Sequence, residues 1–171
     1  MATAFDYSGP VLANTCYVNG QLVARDVAMT LPEINYETFD VNASGTISLP
    51  VPSRTDDMEF SITKIGEDLG LLNLAAAADG AITVEARWAK DVTDRLGNTK
   101  AEGGKAFLRA IPKTFPGIEL EAGEASENEM TFTVLRYQLF INGREYCCID
   151  KLNHILRIQG KDFYSKINPL I

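Results

Sequence analysis

The sequence predicts a mainly β domain, an antiparallel β-sandwich or half-open barrel with one α-helix packed against it. Three observations carry this. Period-two alternation of apolar and polar residues recurs along the chain, at 34–41, 58–62, 82–92 and 130–141. Asn-Gly stands between such runs at Asn19-Gly20 and Asn142-Gly143, and this dipeptide supplies the two φ > 0 positions of a type I′ hairpin turn. A good helical stripe occurs once, in 64–79, so the rhythm of a parallel βαβ fold is missing.

The run 130–150, MTFTVLRYQLFINGREYCCID, is the strongest hairpin signal. Met130, Phe132, Val134, Arg136, Gln138 and Phe140 fall on one face of an extended strand. Thr131, Thr133, Leu135, Tyr137, Leu139 and Ile141 fall on the other. A strand of about 12 residues is twice the usual length of roughly 5–6. Such length suits a barrel, or a sheet shared between subunits.

The other elements follow in order. Residues 1–13 read as an arm, because Ser8-Gly9-Pro10 breaks regular structure. The rest, 14–171, reads as one domain. Thr15–Val18, the Asn19-Gly20 turn and a return over 21–31 form a hairpin resembling the one at 130–150. Residues 33–63 form a long excursion: INYETFDV alternates, Asn42–Gly45 is a loop, Thr46–Leu49 a short strand, and Pro50–Asp57 an irregular polar connection. Long excursions inside compact domains are usually functional. In 64–79, Ile65, Leu69, Leu72 and Ala76 form an apolar stripe, Thr63 is a candidate cap, Glu67 and Asp68 suit the first turn, and Gly80 is a stop signal. Ile82–Val92 and Lys105–Phe115 form a hairpin around a polar loop at 93–104. Residues 119–129 hold five glutamates and no basic residue, which predicts a solvated, self-repelling loop. A small hairpin around Gln159-Gly160 ends the domain.

Composition bounds the function. The 171 residues carry a net charge of −7, which argues against nucleic acid as a partner of most of the surface. Cys16, Cys147 and Cys148 do not make a disulfide framework, and neighbours in a strand point to opposite faces. The N-terminus lacks the pattern of a signal peptide, and no apolar run approaches a membrane span. These features predict a protein of a reducing cytoplasm that does not insert into membranes.

No catalytic pattern stands out. His154 is the one histidine, and a lone strand histidine is more often structural. There is no G-x-S-x-G elbow, no phosphate loop and no EF-hand around Asp56-Asp57. Cys147-Cys148 with His154 do not match a closed zinc site. The sequence points to a non-enzyme that works through its surfaces and needs no cofactor or metal.

The order and spacing of four segments resemble the inner tail tube proteins of contractile-tailed phages and R-type bacteriocins. The first is the Asn19-Gly20 hairpin running into Thr30-Leu31-Pro32-Glu33-Ile34. The second is Ala43-Ser44-Gly45-Thr46-Ile47, followed by Met58-Glu59-Phe60-Ser61. The third is the helix after it. The fourth is Arg136 to Glu145, then Ile149-Asp150, Asn153 and Gly160-x-Asp162. The resemblance covers about residues 14–165. The chain departs from the pattern in its long arm, Gln159, the Asn168–Ile171 end and the two cysteines.

The resemblance implies a tail-tube fold whose copies form hexameric rings, with strands joined edge to edge around a channel. It implies rings stacked into a rigid tube that delivers DNA through the host envelope. The excursion 33–63 would reach a neighbouring subunit or ring, and the helix would lie outside the barrel. Implied ring and subunit contacts are Phe39, Val41, Ile47, Leu49, Arg54, Asp56 and Asp57 in and beside the excursion, with Leu139 and Ile141 in the wall. The implied partners are further copies of the chain, a contractile sheath, a tape measure in the lumen, and baseplate and tail terminator proteins. DNA would pass without specific binding, helped by an acidic lumen. The implied location is the virion tail, assembled in the host bacterial cytoplasm. The alternative is the tube of a headless contractile particle, such as a bacteriocin or secretion-type machine; a monomeric β-sandwich binding module is a further alternative.

Overall fold

The computed structural model describes residues 6–66, 69–76 and 78–171. Ten strands form one antiparallel sheet: β1 (Tyr7–Val18), β2 (Gln21–Arg25), β3 (Ala28–Thr30), β6 (Met58–Ile65), β7 (Ile82–Thr93), β8 (Thr99–Pro112), β9 (Glu127–Ile141), β10 (Arg144–Asp150), β11 (Ile155–Ile158) and β12 (Lys161–Asp162). The remaining two, β4 (Tyr36–Ala43) and β5 (Gly45–Thr55), form a separate two-stranded sheet. A short α-helix, α1 (Leu69–Ala75), follows β6, and a 3-10 turn spans Asn168–Leu170.

The main path runs β12-β11-β10-β9-β8-β7-β1-β2, and β6 joins β9 to β3. The sheet is open, as a half-open barrel requires. Its two flanks are nevertheless tied by one stretch of chain. β2 pairs with β1, and β3, two residues later, pairs with β6. Asp26 makes this corner with a φ of 51°. The Asn14 side chain fixes it, donating to the Val27 carbonyl at 2.8 Å and accepting from the Val27 amide at 3.0 Å.

β9 is the central member. Along one edge it pairs with β8. Along the other it pairs first with β6, from Glu127 to Val134, and then with β10, from Arg136 to Ile141. The handover falls on a β-bulge. Arg109 faces Arg136 while Ala110 faces Val134, so Leu135 has no partner of its own on β8. An extra residue in a strand exchanges its two faces. Met130, Phe132 and Val134 are buried before the bulge, and Tyr137 is buried after it. The single alternation expected through 130–141 is therefore two half-alternations of opposite phase. The Leu135 carbonyl accepts from the Lys151 amide at 3.2 Å.

The core lies on one face of the curled sheet. Met58, Phe60 and Ile62 of β6 meet Val134, Phe132 and Met130 of β9 in register. The Phe60 and Phe132 rings stand 5.7 Å apart, tilted. Val84, Ala86, Ala106, Leu108 and Ala110 continue this layer, and Cys16, Cys147, Ile149 and Leu156 close it. Burial raises the Cys16 and Cys147 thiols to about 11, so both are neutral at physiological pH.

Other boundaries also differ from the sequence reading. Tyr7–Ala13, expected within an arm, begins β1 and pairs with β7; Gly9-Pro10 appears as register shifts there. The return over 21–31 divides into β2 and β3 at the corner. The polar stretch 93–104 shrinks to a turn, because Thr99–Gly104 pairs with β7. Asp94 closes this turn by accepting from the Leu96 and Asn98 amides at 2.8 and 2.9 Å. β9 begins at Glu127, inside the acidic stretch, because Glu127 and Glu129 pair with Ile65 and Thr63 of β6. That pairing also removes 64–65 from the expected helix, and Gly66, with φ +85°, turns the chain out of the strand. The helix is Leu69–Ala75; Glu67 and Asp68 of the expected first turn lie outside the described residues. Pro50 and Pro52 lie within β5 rather than ending a strand. Both strands of a two-stranded sheet are edges, so the missing N–H groups have a side without a ladder to disrupt.

Trp88 of β7 lies opposite Gly104 of β8. A Cβ on Gly104 would fall 2.3 Å from the Trp88 ring. The Trp88–Gly104 pair is a fixed close approach, and Gly104→Ala should destabilise the fold by about 1–3 kcal/mol. Urea unfolding of the single variant and of Gly104→Ala/Trp88→Leu checks this, with the second change restoring part of the loss.

Candidate functional site

Among the described residues, no group of three or more His, Cys, Asp and Glu side chains is placed to hold a metal. His154 sits at a turn with φ 52° and stacks on Tyr164, with ring centroids 5.6 Å apart. Among the described residues, no helix is long and apolar enough to cross a membrane.

The structure offers surfaces instead. The β4–β5 hairpin is the first. Phe39 faces Leu49 and Val41 faces Ile47 across the ladder, so these four share one face. Thr38, Asp40, Asn42, Thr46 and Ser48 share the other, and the Ser48 hydroxyl donates to Asp40. Phe39 is 51% exposed, Ile47 49% and Leu49 41%. Alternation built a two-faced hairpin here, yet no core covers its apolar face. Of the expected contact residues, the structure therefore brings Phe39, Val41, Ile47 and Leu49 together.

The others stand apart. Arg54 pairs with Glu37 at 2.6 Å near the hairpin base. Asp56 and Asp57 form the exposed link to β6. The Asp56 amide donates to the Asn35 carbonyl at 2.8 Å. Lys151 Nζ donates to the Thr55 carbonyl at 3.1 Å and also to that of Asp56. Leu139 packs against the core, and Ile141 is half-buried at the end of β9.

The second surface was missed in the sequence: the face of the sheet turned away from the core. Register places Arg87 beside Lys105, Lys105 beside Phe140, and Arg109 beside Arg136. Phe107 and Phe140 meet edge to face at 5.9 Å. Arg87 pairs with Glu85 at 2.5 Å and lies 5.0 Å from the Tyr17 ring centroid. Glu145 accepts from Arg157 Nε at 2.7 Å and from Gln138 Nε2 at 2.7 Å. The Arg157 hydrogen bond, reinforced by Gln138, holds the Glu145 carboxyl below its usual 4.5. Arg136 and Gln138 interrupting an apolar run were the visible signal.

The fold resembles structures of contractile injection machines. A chain of the PVC sheath/tube terminator, from an extracellular contractile injection system in its extended state, superposes with a TM-score of 0.54 at 14% identity, covering 78% of this chain and 97% of that one. A chain of the PVC sheath–tube complex gives 0.52 at 14%, covering 78% and 92%. A chain of the anti-feeding prophage cap, which terminates the AFP tube, gives 0.54 at 12%, covering 82% and 95%. No curated protein matches the sequence.

The chain thus shares its fold with chains of these assemblies. The profile of phage tail tube protein FII matches residues 11–169, and the chain belongs to that family. Its role is structural, as a phage tail tube protein, and its place is the tail of the particle.

The Glu145 carboxylate, bound by Arg157 in the native state, contributes stability above the unfolded pKa and loses it as pH falls through the lower folded value. Native stability should therefore decline as pH drops below about 4.5, and Glu145→Gln should flatten part of that decline. Thermal unfolding of both proteins across an acid pH series measures this.

Proposed function

We propose that the chain forms hexameric rings that stack into the rigid inner tube of a contractile phage tail, the conduit for DNA through the host envelope. The observation that carries this is the uncovered apolar face of β4–β5. β4 has 8 residues, so the hairpin is about 27 Å long at about 3.4 Å per residue. An isolated two-stranded hairpin is marginally stable in water, and an apolar face of this kind marks a protein contact. The reading makes a neighbouring copy its cover. The exposed edges of β2, β12 and β3 support edge-to-edge closure, which removes an aggregation liability. Repeated head-to-tail contacts then give open stacking.

In this reading a sheath surrounds the tube, a tape measure occupies the lumen, and terminator and baseplate proteins close the ends. The tube assembles in the host cytoplasm, and no step requires catalysis by the chain. A second reading, the tube of a headless injection particle, is favoured by the likeness to the PVC and anti-feeding prophage structures.

Electron microscopy of the purified chain should show rings or hollow rods. Phe39→Ser/Ile47→Ser should leave thermal unfolding within about 0.5 kcal/mol of wild type, since these side chains support no core, yet abolish the rods. Wild-type chain that stays monomeric at every concentration, or rods from the double variant, would count against the assignment. Leu139→Asp should lower stability as well as assembly, because Leu139 contacts the core.

A further inference from the structure

We propose that the apolar face of the β4–β5 hairpin seats in an apolar groove on the next copy of the chain, formed by β1, β7 and β8 on the sheet face turned away from the core. A neighbouring copy as the cover rests on the tube reading above; the groove is a feature of the single chain.

The groove has a volume of about 650 Å³, and strand register gives it a floor. Ala13 pairs with Ala89, and Ala89 with Gly103, so three adjacent strands present small residues in one row. The next row on the same face is bulky, because Arg87 faces Lys105 and Lys105 faces Phe140. The Phe140 and Phe107 rings, edge to face at 5.9 Å, wall one side. The step from a small row to a large one makes the concavity. Charges around it are of both signs. Glu85 pairs with Arg87 at 2.5 Å and Glu145 with Arg157 at 2.7 Å, and alternation places Asp91 on the same face as Lys105. The groove therefore selects apolar surface rather than net charge.

The hairpin supplies the matching surface. Phe39 faces Leu49, Val41 faces Ile47 and Ala43 faces Gly45, and none of the six is charged. The two bulky pairs lie about 7 Å apart along strands that are about 5 Å apart. The groove spans three strands, about 10 Å across. Bulky side chains set over small ones let two sheet faces reach packing distance. The hairpin leaves the body at Thr55 and Asp56, where Lys151 ties it beside Leu135 of β9. The groove lies beside Asn142-Gly143, about 24 Å further along β9, and Phe39, Ile47 and Leu49 remain exposed. A donor surface and a separate receptor surface make a head-to-tail contact, which closes into a ring where the rotation allows. One hairpin face of roughly 27 by 10 Å covers about 300 Å², less than the roughly 800 Å² per partner of a stable pair. Two copies alone thus bind weakly, whereas each copy in a ring makes the contact twice, once with its hairpin and once with its groove.

Gly103 gives the test. A Cβ there meets only the Trp88 carbonyl oxygen, at 4.0 Å, so Gly103→Val fills the groove without straining the fold. Its thermal unfolding should match or exceed that of wild type, since valine suits a strand, while the assembled fraction seen by electron microscopy falls about tenfold. Disulfide trapping is the second measurement. Chains carrying Ile47→Cys, mixed with chains carrying Ala89→Cys under oxidising conditions, should give a mixed dimer that neither chain gives alone; the native thiols are buried. Undiminished assembly by a stable Gly103→Val overturns the proposal. Disulfides between two Ile47→Cys chains in place of the mixed dimer overturn it in favour of hairpins that cover each other. A disulfide closed within one chain of the double variant overturns it in favour of self-docking. Tubes that form without the mixed disulfide overturn the groove and leave the tube reading intact. Wild-type chain that never assembles counts against that reading; a mixed disulfide at high concentration then still supports the groove, and its absence overturns it.

Discussion

The rest of the molecule depends on one strand serving two partners along one edge. β9 is 15 residues long, and neither β6 nor β10 spans it alone. The bulge at Leu135 makes the division possible. Before it, β9 packs Phe132 against Phe60; after it, the same strand turns Tyr137 inward and Arg136 outward. A continuous alternation would have put Arg136 in the core with Val134, where an unpaired charge is costly. The inserted residue lets one strand bury both Val134 and Tyr137 while leaving Arg136 in solvent.

Much of this was legible in the sequence, and the failures have local causes. The type I′ turns appear as Asn19-Gly20 and Asn142-Gly143, with positive φ at every position. Gln159-Gly160 repeats the device. Turn chemistry is a short-range property, so it survives translation from sequence to fold. The bulge does not announce itself, because Leu135 is as plausible inside an alternation as outside one. Thr99–Gly104 looked like a loop because its residues are polar and small. Its backbone is nonetheless paired to β7, and Gly104 is required by the Trp88 ring. The helix was drawn too long because Ile65 fits both a helical stripe and the last pair of a strand. Tertiary pairing with Glu127 decides between them.

The residues expected as contacts divide in the same way. Phe39, Val41, Ile47 and Leu49 were legible because a period-two pattern predicts a face, though not that the face is left uncovered. The outward face of the sheet was not legible as one surface, since its charged members, Glu85 and Arg87, Lys105, Arg136 and Glu145, come from strands distant in sequence.

Lys151 has a mechanical meaning. Its amide holds the Leu135 carbonyl at the bulge, while its ammonium group holds the carbonyls of Thr55 and Asp56 where the hairpin leaves the body. The projecting arm and the longest strand are thus pinned by one residue. A pull on β4–β5 is delivered to the middle of the sheet rather than to a loose loop. In the proposed tube, a load on one copy's arm would pass into its own wall through that pin.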